Sequence, residues 1–398
     1  MSIIKDGIIG HAIGDAMGVP IEFTPREKLL DNPVTEMLGH GTYDVEKGSF
    51  SDDTSMEIAL IDSYVKKEEF DYDDIMNNFS LMISDGKFTP DDKLFDIGIT
   101  CSTAVNNYLK GTPPLEAGLD DYNSNGNGSL MRILPVVYYA HYKKLKQVEI
   151  LELVRKVSSL THRHEISIIG CYLYVNYVLN IINGKDKYAA LSMLKALDLS
   201  MFKEENVEKY HRILADNLKD LKLNYIRSSG YIVDSLEAAL WVVLNTDSYS
   251  SSIIGAINLG EDTDTIGAIT GSITGVLYGY NSIPKSWLES LRKREYLEQY
   301  CRSFENVLLK NSKLDNYIYE DNRIYKLDDN NNLIAEVTFN KINEDTYNIN
   351  HTFVDDEYTG KGIGSNIVNE TIRYLKSRNN KVKATCSFAT KILEQEKE

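Results

Sequence analysis

One change of period limits what this chain can fold into more than any other feature. Up to about residue 308, leucine and isoleucine recur at three- and four-residue steps, and strand alternation is nearly absent. The spacing predicts helices over 52–67, 72–85, 93–110, 131–144, 147–161, 165–182, 188–197, 205–221, 232–245, 250–259, 265–278 and 285–308. Beyond Asn311 the pattern alternates, with strands expected at 317–327, 333–340 and 347–354 and a turn over 328–332. Gly360-Lys361-Gly362-Ile363-Gly364 then opens a helix over 365–378, before a last strand at 381–386. The expectation is an all-α domain over 1–308 followed by a small α+β domain over 315–398. A length of 398 residues also suits two domains better than one.

The first helix is read over 3–18, where Gly7, Gly10, Gly14 and Gly18 fall at helical spacing. Each glycine weakens a helix by about 1 kcal/mol relative to alanine. Four in one helix imply that its backbone lies close against a neighbour. Asp15 sits inside this apolar run, and Glu22 follows Pro20 among apolar residues.

Two stretches concentrate oxygen ligands at helix starts. In the first, Ser51-Asp52-Asp53-Thr54 precedes an apolar run, with Ser51 a candidate N-cap. By itself this describes a well-capped helix. The second, Gly260-Glu261-Asp262-Thr263-Asp264-Thr265, repeats the arrangement. Carboxylates with hydroxyls are the ligand set of a hard divalent cation, and two such clusters meeting in space could hold two.

Two loops interrupt the helices. Residues 123–132 form a Gly/Asn turn cluster, which reads as a plain turn or as N–H groups facing a phosphate or sugar. Thr161-His162-Arg163-His164-Glu165 crowds titratable groups at a helix start, and no HExxH or CxxC spacing supports zinc.

The formal charge of −16 argues against a general nucleic-acid or anionic-membrane binder. The four cysteines are dispersed and read as free thiols in a reducing compartment. The N-terminus does not read as a signal peptide, no stretch reads as long enough to span a membrane, and the cytoplasm is expected.

Four motifs stand in order: Gly14-Asp15-Ala16-Met17-Gly18 with Pro20 and Glu22; Ser51-Asp52-Asp53-Thr54; Gly126-Asn127-Gly128-Ser129-Leu130-Met131-Arg132 with Thr161-His162; and Asp262-Thr263-Asp264-Thr265-Ile266-Gly267. Together they resemble the ADP-ribosylglycohydrolase family over the first three quarters of the chain. The resemblance implies a compact all-α fold with a dinuclear magnesium site, manganese being the alternative. Ser51, Asp52, Asp53, Asp262, Asp264 and Thr265 would be its ligands. Family members usually carry Thr where this chain has Ser51, and Ser keeps the hydroxyl. Glu22 matches the metal-proximal glutamate, and either Glu22 or a metal-site aspartate such as Asp53 would be the general base. Asn127, Gly128, Ser129 and Met131 would line the ADP-ribose groove, His162 would lie near the ribose or diphosphate, and Tyr231 would stack on adenine. The implied reaction is hydrolysis at C1″ of ADP-ribose, releasing it from a modified protein or a small conjugate. Arginine, serine, nucleic-acid and O-acetyl linkages all stay open. The alternative readings are a non-catalytic ADP-ribose-binding module and an immunity-type protein.

The C-terminal piece is similar to short GNAT-type N-acetyltransferase domains. The carriers are Asn350-His351-Thr352-Phe353-Val354, Tyr358-Thr359 with the glycine turn, and Thr385-Cys386-Ser387-Phe388-Ala389. The resemblance implies that Gly360, Lys361, Gly362, Ile363 and Gly364 receive the diphosphate of acetyl-coenzyme A. The usual signature begins with Arg or Gln where Thr359 stands, so acetyl transfer is left open.

Overall fold

The computed structural model describes residues 2–310, 317–328, 331–360, 362–376, 378 and 380–395. The chain divides into two compact units, Met1–Asn311 and Ser312–Glu398.

The first unit is helical among the described residues. Its helices of eight residues or more are α1 (Ile3–Gly18), α2 (Asp52–Lys67), α3 (Tyr72–Asp85), α4 (Ile99–Leu109), α5 (Leu134–Lys143), α6 (Gln147–Ser159), α7 (Glu165–Ile182), α8 (Lys187–Leu194), α9 (Ile232–Asn245), α10 (Tyr249–Ile257), α11 (Thr263–Tyr278) and α12 (Arg294–Lys310). At its centre α1 and α11 cross in backbone contact. A Cβ on Gly14 would lie 2.0 Å from the Gly267 carbonyl oxygen, and one on Gly10 would lie 2.4 Å from that of Gly271. The clash is mutual, since a Cβ on Gly267 would meet the Gly14 oxygen at 2.4 Å. Of the glycines expected to permit close approach, Gly10 and Gly14 therefore pair with glycines some 250 residues later, while Gly18 abuts the backbone of Thr263 and Asp264 and Gly7 the Tyr138 hydroxyl. This crossing carries Asp15, near the end of α1, to the start of α11.

Helix α7 is long and apolar enough to cross a membrane, which the sequence reading had not anticipated, yet 89% of it is buried inside the unit. It is a core helix. The four cysteines are free, three of them buried.

Three helical expectations are corrected. Residues 93–98 are irregular and α4 begins only at Ile99, because Phe95 is held in ring contact with Tyr43 and the Gly98 N–H turns to Asp52. Over 205–221 only Glu204–Val207 is α-helical, followed by short 3-10 turns. Tyr210 is pinned there by its hydroxyl to the Ile166 carbonyl, 2.6 Å away. The expected 285–308 helix is split into Lys285–Ser290 and α12, with Lys293 at φ +47° between them and the Arg292 N–H bonded to the Gly48 carbonyl. In each case a tertiary contact overrides a periodic pattern.

The second unit is a five-stranded sheet in the order β1 (Tyr317–Tyr319), β2 (Arg323–Leu327), β3 (Leu333–Asn343), β4 (Thr346–Val354) and β5 (Lys381–Ala384). All neighbours are antiparallel except β4 and β5. The strand expected over 317–327 is a hairpin, with Tyr317 opposite Lys326. Helix α13 (Ile363–Lys376) buries Ile367, Val368, Ile372 and Leu375 against Ile324, Val337, Phe339 and Ile349. Its amphipathic stripe covers one face of the sheet. A further helix, α14 (Ser387–Gln395), had not been expected.

Candidate active site

The site begins with the cap of α2. Ser51 is the N-cap, its Oγ accepting the Asp53 N–H at 3.2 Å, with Asp52 and Asp53 in the first turn. Asp15 of α1 holds this turn from beneath. Its carboxylate accepts the N–H of Ser51 at 2.9 Å, the N–H of Thr54 at 3.1 Å and the Thr54 hydroxyl at 2.6 Å. The start of α11 closes on the same place. Thr265 Oγ1 donates to Asp53 Oδ2 at 3.4 Å, and Ser51 Oγ donates to the same oxygen at 3.2 Å. The two oxygen-rich stretches therefore meet.

Glu22 and Asp96 complete the cluster. Ligand oxygens of Glu22, Asp96 and Asp264 lie within 4.8 Å of one another. The Tyr43 phenol lies beside Glu22 and Asp96 and draws both carboxyls back down against the effect of burial. Asp96 stands close enough to Asp52, and Asp262 to Asp264, for each to raise its neighbour's carboxyl. Asp96 was not singled out from the sequence, because it fell inside an expected helix. Its visible signal was Asp96-Ile97-Gly98, a carboxylate just before a glycine. Asp15 stood in the sequence motif without a role, and its anchoring bonds exist only across helices.

So many acids in one buried place disfavour ionisation. Burial pushes the Glu22 carboxyl up to about 8, with the charges of Asp262, Asp96 and Asp15 adding to it and the Tyr43 hydrogen bond opposing. Burial likewise holds Asp52, Asp53 and Asp264 well above the usual carboxylate range, reinforced by neighbouring acids. Asp53 Oδ1 and Glu22 Oε2 are buried without a hydrogen-bond partner among the described residues. Orphaned carboxylate oxygens in a cluster with no Lys or Arg ion pair among the described residues fit a divalent metal, and an all-oxygen donor set favours magnesium or manganese over zinc.

The turn cluster forms the adjoining wall. The Asn127 N–H bonds to the Gly230 carbonyl at 3.0 Å, and the Ile232 N–H to that of Asn125 at 3.1 Å. Asn127 Nδ2 reaches Asp262 Oδ2 at 2.6 Å and Ser235 Oγ at 2.9 Å. This joins the loop, the segment carrying half-buried Tyr231, and the acids. His162 is buried beside Gly128, where a Cβ would lie 2.9 Å from His162 Cε1 and 2.6 Å from Cys101 Sγ. Only glycine fits between His162 and Cys101 at that position. Buried Arg132 props the loop, bonding the Gly128 carbonyl at 3.3 Å and Thr161 Oγ1 at 2.8 Å, and Thr161 Oγ1 in turn meets His162 Nδ1 at 2.8 Å. Burial, then the Arg132 charge, pushes the His162 imidazole down to about 3, so it is neutral at ordinary pH. The hydroxyl of Ser129 does not turn to the acids. It is fully buried against Cys171 Sγ at 3.4 Å, and Met131 is also buried.

In the second unit, Gly360 and Gly362 have φ of +77° and +78°, with nothing within 4 Å of a Cβ at either, and α13 starts at Ile363 and includes Gly364. Lys361 lies outside the described residues.

Acid-bearing helix starts that converge beside a Gly/Asn loop make a buried oxygen-rich centre of the kind that serves hydrolases. Residues 2–314 match the ADP-ribosylglycohydrolase family, and 323–398 match the GCN5-related N-acetyl-transferase family. The chain is 35% identical over 292 residues to an ADP-ribosylarginine hydrolase, Tri1, of Serratia proteamaculans, covering 73% of this chain and 75% of that one. It is 28% identical to the ADP-ribosyl-[dinitrogen reductase] glycohydrolase of Rhodospirillum rubrum, covering 77% and 95% of the two chains. A solved structure described as an ADP-ribosylglycohydrolase-related protein complex superposes with a TM-score of 0.64 at 25% identity, covering 77% of this chain and 98% of that one. The chain belongs to the ADP-ribosylglycohydrolase family and is an ADP-ribosyl glycohydrolase with a GNAT-like second domain.

Proposed function

We propose that this enzyme is a magnesium-dependent hydrolase of ADP-ribosylarginine in proteins, manganese serving as the alternative ion. The observation that carries the reading is the meeting of Glu22, Asp96 and Asp264 within 4.8 Å beside the orphaned oxygen of Asp53. Ser51, Asp52, Asp53, Asp262, Asp264 and Thr265 would hold two cations. Bound there, such ions supply Lewis-acid polarisation and offset the diphosphate charge.

The chain's own groups divide the remaining work. Glu22, with one buried oxygen unpartnered, takes the proton of the attacking water. Asp53 is kept for the metal, since its Oδ2 already receives two hydroxyls. Asn127 positions the ribose side of the ligand beside Asp262, the turn carrying Gly128 lies on the diphosphate side, and Tyr231 stacks on adenine. His162 stays neutral and orients the loop. Asp96 is half-exposed and borders Glu22. A carboxylate there suits a guanidinium leaving group, which agrees with the arginine linkage in the name of the Serratia relative.

The glycine turn before α13 receives the diphosphate of acetyl-coenzyme A, supported by the open space above Gly360 and Gly362. The free thiols and acidic charge suit the cytoplasm.

The test offers arginine-ADP-ribosylated peptide, serine-ADP-ribosylated peptide and O-acetyl-ADP-ribose, each with magnesium, with chelator, and with Asp52→Asn. Magnesium-dependent release from the arginine peptide alone, lost in the variant, is expected. Release from serine or O-acetyl substrates instead would reject the arginine reading. Binding of ADP-ribose with no release from any substrate would make the domain a binding module.

A further inference from the structure

Beneath the acid cluster lies a second polar set that the reaction does not use. His11 stands one turn before Asp15 on α1, Glu57 stands one turn after Asp53 on α2, and Tyr138 comes from α5. His11 is 1% exposed, and Glu57 and Tyr138 are fully buried. Both carboxyl oxygens of Glu57, His11 Nε2 and the Tyr138 hydroxyl have no hydrogen-bond partner among the described residues. His11 Nε2 and Glu57 Oε2 are 3.9 Å apart, too far for a direct hydrogen bond. The His11 ring also lies against the backbone of Asp53. The Tyr138 hydroxyl is seated against α1, where a Cβ on Gly7 would come within 2.0 Å of it. Glu57 is foremost among the charged groups acting on that phenol.

Four orphaned polar atoms from three helices thus share one region of an apolar core. A buried carboxyl group with neither oxygen satisfied is not tolerated without a partner, and ordered water is the usual one. The imidazole nitrogen in the set disfavours an alkali or alkaline-earth cation, which takes oxygen ligands.

We propose that Glu57, His11 and Tyr138 enclose an internal water site, and that Glu57 acts through it as a positioning residue for Asp53. The water bridges Glu57 to His11, and the His11 ring braces the backbone that carries Asp53. The positioning half of this inference rests on the divalent-metal reading above; the water site does not.

A crystal structure at a resolution that shows ordered water is expected to contain a water in contact with Glu57 and His11 Nε2. A core dry at that place overturns the water site. Calorimetric titration with Mn2+ tests the positioning role. Glu57→Leu, which cannot hold the water, should weaken Mn2+ binding about tenfold, as loss of an outer-shell partner does. Glu57→Gln, which keeps hydrogen-bonding groups of the same shape, should stay within about threefold of the unaltered protein. Equal Mn2+ affinity in Glu57→Leu overturns the positioning role. Should Glu57→Leu fail to fold, Tyr138→Phe removes one water partner at constant shape, and about threefold weaker binding is expected; unchanged binding counts against the proposal. If the unaltered protein binds no Mn2+, the metal reading falls and takes the positioning role with it, while water density still decides the internal site.

Discussion

Thr265 Oγ1 lies 3.4 Å from Asp53 Oδ2, a contact between residues 212 positions apart. It marks where the first turns of α2 and α11 converge, and it depends on the glycine crossing of α1 and α11 behind it.

That crossing leaves no room for a methyl group. Gly14→Ala places a carbon 2.0 Å from a backbone oxygen that cannot move alone. A loss of about 3 kcal/mol or more in urea unfolding is expected, together with loss of hydrolase activity. Gly255→Ala, whose added Cβ would meet side chains alone, Val242 at 3.2 Å and Thr246 at 3.9 Å, should stay within about 1 kcal/mol of the unaltered protein. Equal effects of the two would reject the crossing as the organising contact.

Asp15 anchors the α2 cap through three hydrogen bonds. Asp15→Ala leaves two buried N–H groups unpaired and should cost about 3 kcal/mol in chemical unfolding, with weaker Mn2+ binding by calorimetry. A stable variant with unchanged affinity would remove Asp15 from the site.

Asp96 is half-exposed and lies in an irregular segment, so its loss should spare stability. Asp96→Asn is expected to lower kcat/KM on ADP-ribosylarginine peptide about 10- to 100-fold, with the melting temperature little changed. An unaltered kcat/KM would deny it contact with the leaving group.

Stability in chelator should depend on pH in two opposed ways. Burial lowers His11 and His162 to about 3, so unfolding takes up protons below pH 6.5, and stability rises with pH from about 3 to 6.5. Burial raises Asp15 to about 6 and Glu22 to about 8, so the folded state holds protons that the unfolded chain releases. Their effect is a stability that falls as pH rises, for Asp15 up to about 6 and for Glu22 up to about 8. Between pH 6.5 and 8 only the acids still act, and the melting temperature should fall. Saturating magnesium should abolish that fall, because the ion replaces the proton. A flat profile in chelator over this window, or no magnesium effect, would contradict the clustered acids as the cation site.

The short-range features were legible because they are local. Helical period, the Ser51 cap and the paired hydroxyl-carboxylate stretches depend on residues a few positions apart. The Gly7 to Gly18 spacing even announced a close backbone approach. Misreadings fell where distant contacts overrode local preference. Asp96 was hidden inside a pattern that reads as helix, and Tyr43 and Asp52 hold that segment open. Ser129 reads as a groove residue by its motif, yet its hydroxyl turns inward to Cys171.

By itself, the sequence determined two domains, their period and the inventory of oxygen ligands, since each follows from the order of neighbouring residues. Only the tertiary structure decided which acids share one site, that Asp15 holds the cap, and that the Glu57 carboxyl and His11 Nε2 lie beneath it without hydrogen-bond partners among the described residues. Those outcomes depend on helices crossing at contact distance, and no local spacing encodes where a helix meets a partner some 250 residues away.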